Sequence, residues 1–247
     1  ALDSLPETAG WPADIFFRQP VVEHELRENL RRYDSVHQML GWAVEDIKQD
    51  DDGVTLRLED RQSGAHQEIS AAYVLGADGA DSKVRDLMGI ELDDLQCDEP
   101  WLVVDWELEP DVAFKRDVYQ FCDPKRPGTL VPCAGQHIRW EFMMNDDDDV
   151  AAMEDEAAVR RMMTPYLGHL SPDISPAQGA ILRSKVYHFH ALLAHQMRVG
   201  RVFIMGDAAH QMPPFLGQGM CGGLREAENL IWKLAGVLGG SFTPAIL

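Results

Sequence analysis

The chain has 247 residues, 45% apolar and 26% charged, the balance of an ordinary globular protein with room for one or two domains. Its 41 acidic and 22 basic residues give a formal charge of −19, which argues against nucleic acid and against an anionic membrane surface as partners. No apolar run reaches the roughly 18 residues of a spanning helix, no signal-peptide layout is present, and Cys97, Cys122, Cys133 and Cys221 form no CxxC pair, so a cytoplasmic protein with reduced thiols is expected, without a disulfide frame or zinc site.

The opening ALDSLPETAGWP reads as loop, and SFTPAIL closes the chain just after a helical pattern; a fragment is expected. PVVEHELRENLRRY (20–33) predicts a helix, with Pro20 in its first turn and Val22, Leu26 and Leu30 four apart. WAVEDIKQ and VTLRLED predict strands joined by a DDDG hairpin turn. Residues 73–77 predict a short strand running into GADGADSKVRDLMG, where Ser82 suits an N-cap and Gly89 a helix stop. WLVVDWEL, DVYQFCD, GTLVPC and HIRWEFMM then predict an antiparallel sheet with one buried face. In the last of these, Ile138, Trp140, Phe142 and Met144 share one face, and Arg139, Glu141 and Met143 the other. The Asp146–Asp149 run lacks the Gly and Glu of a calcium loop and reads as a solvated turn. AAMEDEAAVRRMMTPYL predicts one helix, ILRSKVYHFHALLA a long strand, RVFIMG a buried strand and 218–238 a helix. Met143, Met144, Met162 and Met163 read as core or helix filling. The fold class expected is mixed α+β or α/β.

Gly217, Gly219 and Gly222 in GQGMCG spell G-x-G-x-x-G. That spacing signals a dinucleotide loop only when a strand leads directly into it and an acid follows about 20 residues later. Here RVFIM is separated from it by GDAAHQMPPFL, and no acid lies beyond Glu228. The glycines therefore need another reason. Two segments place loop glycines and an acid directly after an apolar strand: LGADGADSKVR with Asp78, and RVFIMGDAAHQMPPFLGQGM with Gly206 and Asp207. Ligands of open α/β sheets lie outside the carboxyl ends of strands, where a short carboxylate can accept hydrogen bonds from sugar hydroxyls. The helix start after Gly217 offers unpaired N–H groups to an oxygen or ring nitrogen that becomes negative. Either segment alone is also common strand–loop–helix punctuation.

GADGADSKVR resembles the "DG" motif, and GDAAHQMPPFLGQGM with REAENLIWKLAGVLGG the "GD" motif, of the FAD-dependent aromatic hydroxylases, a family of single-component flavoprotein monooxygenases. FRQPVVEHEL resembles that family's helix beginning with a cofactor-contacting glutamine, here Gln19. WLVVDWEL, FCDPKRPGTLVPC and RWEFMM resemble its branch acting on 3-(3-hydroxyphenyl)propionate. The resemblance implies a partial FAD-binding domain of Rossmann-like (GR2) type over 1–92, a substrate-binding antiparallel sheet over 93–190, and a return to the FAD-binding domain over 191–247. It implies NADH or NADPH as reductant, O2 as co-substrate, and hydroxylation of a phenolic aromatic acid ortho to its hydroxyl through a flavin hydroperoxide. Asp207 would hold the ribityl hydroxyls, Asp78 and Arg85 the cofactor's surroundings, and Gly206 and the backbone of Gly217, Gln218, Gly219, Met220 and Cys221 the flavin. Cys221 stands where many members have Asn. Pro213 would present a carbonyl near the substrate hydroxyl, beside Pro214, and His210 lies close to the cofactor by position in the motif. The family's opening βαβ unit with its true G-x-G-x-x-G is not in this sequence, so the chain alone is expected to retain little FAD.

Other assignments stay open on sequence. Arg139 can pair with a substrate carboxylate or be a solvent-face arginine of a sheet; Tyr119 and Tyr187 can touch a phenol or be half-buried strand tyrosines. His188 and His190 share a strand face, but no third ligand suits a metal, so none is expected. A homo-oligomer is compatible with the sequence. The alternatives to hydroxylation are a related flavoprotein reaction (epoxidase, halogenase or reductase) and a non-catalytic fragment with an incomplete flavin site.

Overall fold

A computed structural model of the chain describes residues 10–11, 15–214 and 217–247. In chain order its elements are α1 (Gln19–Leu30), β1 (Trp42–Gln49), β2 (Val54–Asp60), β3 (His66–Ala71), β4 (Val74–Gly76), α2 (Lys83–Leu87), β5 (Leu92–Leu108), β6 (Tyr119–Phe121), β7 (Gly128–Pro132), β8 (His137–Met143), α3 (Glu156–Met163), β9 (Gly179–Ala194), β10 (Arg198–Val199), β11 (Val202–Ile204), β12 (His210–Gln211) and α4 (Gly219–Leu238). The chain forms two compact units: residues up to His37 with Glu99–His188, and Gln38–Asp98 with Phe189–Leu247.

The first unit is built on an antiparallel sheet in which the strands lie in the order β9-β5-β8-β7-β6. The alternation expected of HIRWEFMM holds. Ile138, Trp140, Phe142 and Met144 are buried together with Leu102, Val104, Trp106 and Leu130. Val159, Met163, Leu167 and Leu170 cover that face, each buried side chain contributing about 1.5–3 kcal/mol. The single helix expected over AAMEDEAAVRRMMTPYL is three pieces: a 3-10 turn at Val150–Glu154, then α3, then a 3-10 turn at Thr164–His169. Asp155 is extended between the first two, and its carboxylate caps α3 by accepting the Ala158 N–H at 3.0 Å. Pro165, with no N–H to donate, ends α3. The aspartate run is also more than a solvated turn: Asp148 grips Arg126 with both oxygens at 2.7 and 2.8 Å, and Asp149 caps the turn that follows. In α1 the stripe Val22, Leu26 and Leu30 is exposed.

The second unit holds the three-stranded β1-β2-β3 sheet and a smaller one ordered β10-β11-β4. β1 and β2 form the expected hairpin, its turn organised by Asp50, which accepts the Asp52 and Gly53 N–H groups. β3 has no counterpart among the expected strands; its HQEIS run is polar and mostly exposed. β4 and β11 pair in parallel, Val74 beside Val202 and Gly76 beside Ile204. Val54, Leu56, Leu58, Val84, Val202 and Ile204 form the core. Gly76 is there because α2 packs on the strand end: a Cβ would sit 2.7 Å from Val84 Cγ1 and 3.3 Å from Ile204 Cγ2. Gly76→Ala is expected to destabilise the chain by about 1–3 kcal/mol through overpacking, read as a lower midpoint in urea unfolding. α4 buries only Leu234, while Met220, Leu224, Ile231 and Leu238 stay exposed. Among the described residues, no helix is long and apolar enough to cross a membrane, and no cluster of His, Cys, Asp and Glu could hold a metal ion.

Candidate functional site

The parallel pair decides where the two glycine–aspartate loops meet. Gly76 and Ile204 are register partners, and the Met205 N–H extends the ladder to Gly76 O at 2.9 Å. The loops carrying Asp78 and Asp207 therefore leave neighbouring strand ends on the same side, where open α/β sheets hold ligands.

The first loop is tied into its helix. Asp78 Oδ1 accepts the Ser82 hydroxyl at 2.6 Å and Oδ2 the Val84 N–H at 3.0 Å, while Ser82 Oγ accepts the Arg85 N–H at 3.0 Å. Ser82 is the N-cap expected, and Gly89 the stop, with φ of +63°. Arg85 is buried, and its Nη1 donates to Ala80 O at 2.9 Å and to Ala208 O at 3.3 Å. One guanidinium thus joins the two loops. Gln211 Nε2 adds a second link to Ala80 O at 3.2 Å.

The second loop turns at Gly206, whose φ of +57° suits glycine, and makes one 3-10 turn through Ala208. Asp207 is exposed there, and its carboxylate has no partner among the described residues. β12 then pairs with β9, His210 beside Leu193. Pro213 and Pro214 follow, and Pro214 O accepts the Gly217 N–H at 2.9 Å. Gly217, with φ of +61°, leads through Gln218 into α4, whose first turn is Gly219, Met220 and Cys221. Among the described residues no side chain caps that turn, which leaves its N–H groups as candidate donors. A Cβ at Gly206, Gly217 or Gly219 would meet nothing within 4 Å: space is open beside all three. An exposed acceptor, a helix start without a side-chain cap and open backbone fit a polyhydroxylated, flat-ringed ligand such as FAD.

The sheet unit carries Gln19, Tyr119 and Arg139. Gln19 is the exposed first residue of α1. Tyr119 pairs with Leu130, which is register partner to Trp140, whereas Arg139 pairs with Val131. By alternation Tyr119 faces the core, against Phe121 and His169, and Arg139 the other face, so the two do not converge on one ligand.

Arg139 belongs to a polar cluster that was not foreseen. Asp105, on the neighbouring strand, accepts Arg139 Nε at 2.9 Å and Nη2 at 3.3 Å, His137 Nε2 at 2.9 Å and Arg183 Nε at 3.1 Å. Arg183 Nη1 also donates to the Tyr187 hydroxyl at 3.0 Å. Burial pushes the Asp105 carboxyl up, but the hydrogen bonds and charge of Arg139, with His137 and Arg183, outweigh this and hold it below its usual range. Burial raises the neighbouring Glu141 carboxyl above its usual range; Arg139 opposes the rise and Asp105 adds to it. The available signal was Asp105 itself, an acid inside the apolar run WLVVDW, where strands seldom carry one. His190 Nδ1 lies 3.8 Å from Asp98 Oδ1. Two surface hollows, of about 510 Å³ at the ends of β1, β2 and β3 and about 430 Å³ beside Arg126 and Tyr166, contain none of the motif residues.

A family model described as an FAD binding domain matches residues 3–247. The chain belongs to this FAD-binding family. The resemblance to aromatic hydroxylases is also borne out. A 3-(3-hydroxy-phenyl)propionate/3-hydroxycinnamic acid hydroxylase of Burkholderia vietnamiensis is 35% identical over 99% of this chain and 43% of its own length. A probable NADH-specific resorcinol 4-hydroxylase of Rhodococcus jostii is 36% identical over 95% of this chain and 43% of its own. Among solved structures, p-nitrophenol 4-monooxygenase PnpA from Pseudomonas putida superposes with a TM-score of 0.78 at 25% identity, covering 93% of this chain and 57% of that one. The flavin-dependent monooxygenase PieE, in complex with FAD and substrate, gives 0.76 at 26% identity over 91% and 39%. The chain thus spans about two fifths of the length of these curated relatives. Its mixed α and β architecture with antiparallel sheets is that of FAD-binding monooxygenases.

Proposed function

We propose that the chain is the flavin-contacting and substrate-facing part of an aromatic-ring monooxygenase that uses FAD, NADH or NADPH and O2 to hydroxylate a phenolic acid ortho to its hydroxyl. The observation that carries this reading is the convergence of the two glycine–aspartate loops on one parallel strand pair, joined by Arg85. The redox chemistry, hydride acceptance and O2 activation, is supplied by FAD when bound. The chain's own residues bind and orient. Asp207 would accept hydrogen bonds from the ribityl hydroxyls, and the first-turn amides of α4 would donate to the polar edge of the ring system. Asp78, with both oxygens engaged in capping α2, shapes its loop, and Arg85 sets the spacing between loops. Pro213, with Pro214, offers a backbone carbonyl as acceptor for the substrate hydroxyl.

On the sheet, Arg139 and Arg183 both bond the Asp105 carboxylate, and a guanidinium fork also suits the carboxylate of an aromatic acid. The names of the Burkholderia and Rhodococcus relatives support a meta-substituted phenol as substrate, and the latter name supports NADH as donor. Cys122, Cys133 and Cys221, in no disulfide among the described residues, agree with a cytoplasmic setting. The test is turnover by the full-length protein with FAD, either nicotinamide and 3-(3-hydroxyphenyl)propionate. The product is expected to be a catechol, 16 mass units heavier, roughly one oxygen atom gained. Nicotinamide oxidation with only peroxide formed, or an epoxide or halogenated product, would refute the assignment.

A further inference from the structure

Glu226, one helical turn beyond Gly222 on α4, lies in the stretch resembling the GD motif with no role assigned to it there, yet it anchors the second loop. Its Oε2 accepts the Gly206 N–H at 2.7 Å, and its Oε1 lies 2.5 Å from His210 Nε2. A carboxylate only accepts, so Nε2 must carry the proton. The other ring nitrogen, Nδ1, is buried without a partner among the described residues. In the neutral ring that nitrogen is a lone-pair acceptor, and an orphaned buried acceptor is costly unless something fills it. The helix start packs directly on the loop: a Cβ at Gly222 would lie in contact with His210 Cε1 at 3.6 Å, and one at Gly223 in contact with Gly206 Cα at 3.5 Å.

We propose that Glu226 is a positioning residue that fixes His210 as its Nε2–H tautomer and so presents Nδ1 as an acceptor to a hydroxyl or N–H donor of the bound ligand. The same carboxylate holds Gly206, so the turn displaying Asp207 and the tautomer of His210 are set by one side chain. The ligand half of this inference rests on the function proposed above, its donor coming from the flavin or the phenol; the tautomer half rests on the chain alone.

The test is nitrogen-15 NMR of the histidine-labelled full-length protein, wild type and Glu226→Gln, with FAD and then 3-(3-hydroxyphenyl)propionate added in turn. Wild-type His210 is expected to show a protonated Nε2 and a bare Nδ1. Glutamine can still accept from Gly206 through its carbonyl oxygen, but its amide then donates to the ring, moving the proton to Nδ1. FAD or phenol dissociation constants should then rise about tenfold, the weight of one hydrogen bond. The addition that moves the wild-type Nδ1 resonance identifies which ligand supplies the donor. An unchanged tautomer in Glu226→Gln would overturn the positioning role. An Nδ1 resonance indifferent to both ligands, in protein that demonstrably binds FAD, would overturn the ligand half. Failure of the wild type to bind FAD at all would count against the proposed function, and the tautomer comparison would still decide the role of Glu226.

Discussion

Replacing Asp105 by asparagine is expected to lower stability at neutral pH by about 2 kcal/mol. The substitution keeps the shape and removes the charge on which Arg139, Arg183 and His137 converge. Breaking a buried ion pair costs roughly 3–5 kcal/mol. The lower figure applies because the Arg139 and Arg183 side chains keep 38% and 47% of their surface in solvent, where water screens the loss. For a chain of this size the melting temperature should fall by about 4–8 °C. The pH dependence has a definite sign. The Asp105 carboxyl is held below its ordinary value in the folded chain, so its contribution is fully present above the unfolded value of about 3.9. It is lost as pH falls through the lower folded value. Wild type and Asp105→Asn should therefore differ at pH 7 and converge in strong acid. Glu141 acts in the opposite sense. Its raised carboxyl favours the fold below the unfolded value of about 4.3, and that benefit is lost as pH rises through the folded value. Equal melting temperatures for wild type and Asp105→Asn at pH 7 would mean that the cluster adds nothing to stability.

Arg85→Met is expected to give the largest functional loss among single substitutions outside the proposed ligand contacts. Methionine fills much of the buried volume but gives no donor to Ala80 O or Ala208 O, leaving the two loops unlinked by this side chain. Hydrogen bonds from a charged donor carry about 1.5–3 kcal/mol, so stability should drop by about that amount. Hydroxylation should drop about a hundredfold, because displacement of roughly 1 Å in a positioning element costs that much. Product yield and urea midpoint measured together check this. A variant with wild-type turnover would show that the loops keep their spacing without the guanidinium.

Much of this architecture was legible where the signal is local. The cap at Ser82, the stop at Gly89 and the alternation through Ile138, Trp140 and Phe142 each depend on neighbours a few residues away. The features that escaped depend on distant partners. Arg139 and Arg183 meet Asp105 across 34 and 78 positions, and no local pattern encodes such a meeting. β3 escaped because its side chains alternate between water and near-water, leaving little apolar period to detect. The split at Asp155 shows a short cap outcompeting helix propensity, as aspartate does when its carboxylate can take a backbone N–H. Glu226 was hidden in a helix of obvious amphipathic character; only the arrival of Gly206 and His210 from 20 and 16 positions away distinguishes it.

The parallel pairing of β4 with β11 also has a kinetic side. Val74 and Val202 are register partners 128 positions apart, and closing so long a flexible loop costs roughly 4 kcal/mol in chain entropy. The intervening sheet shortens that search, because β5 and β9, by which the chain enters and leaves it, lie side by side. Once they are zipped, only short tethers separate β4 from β11. The loop bearing Asp207 can then reach the loop bearing Asp78, so assembly of the ligand site is expected to follow closure of the β5–β9 pair, on whose edge β12 already seats His210 and Gln211.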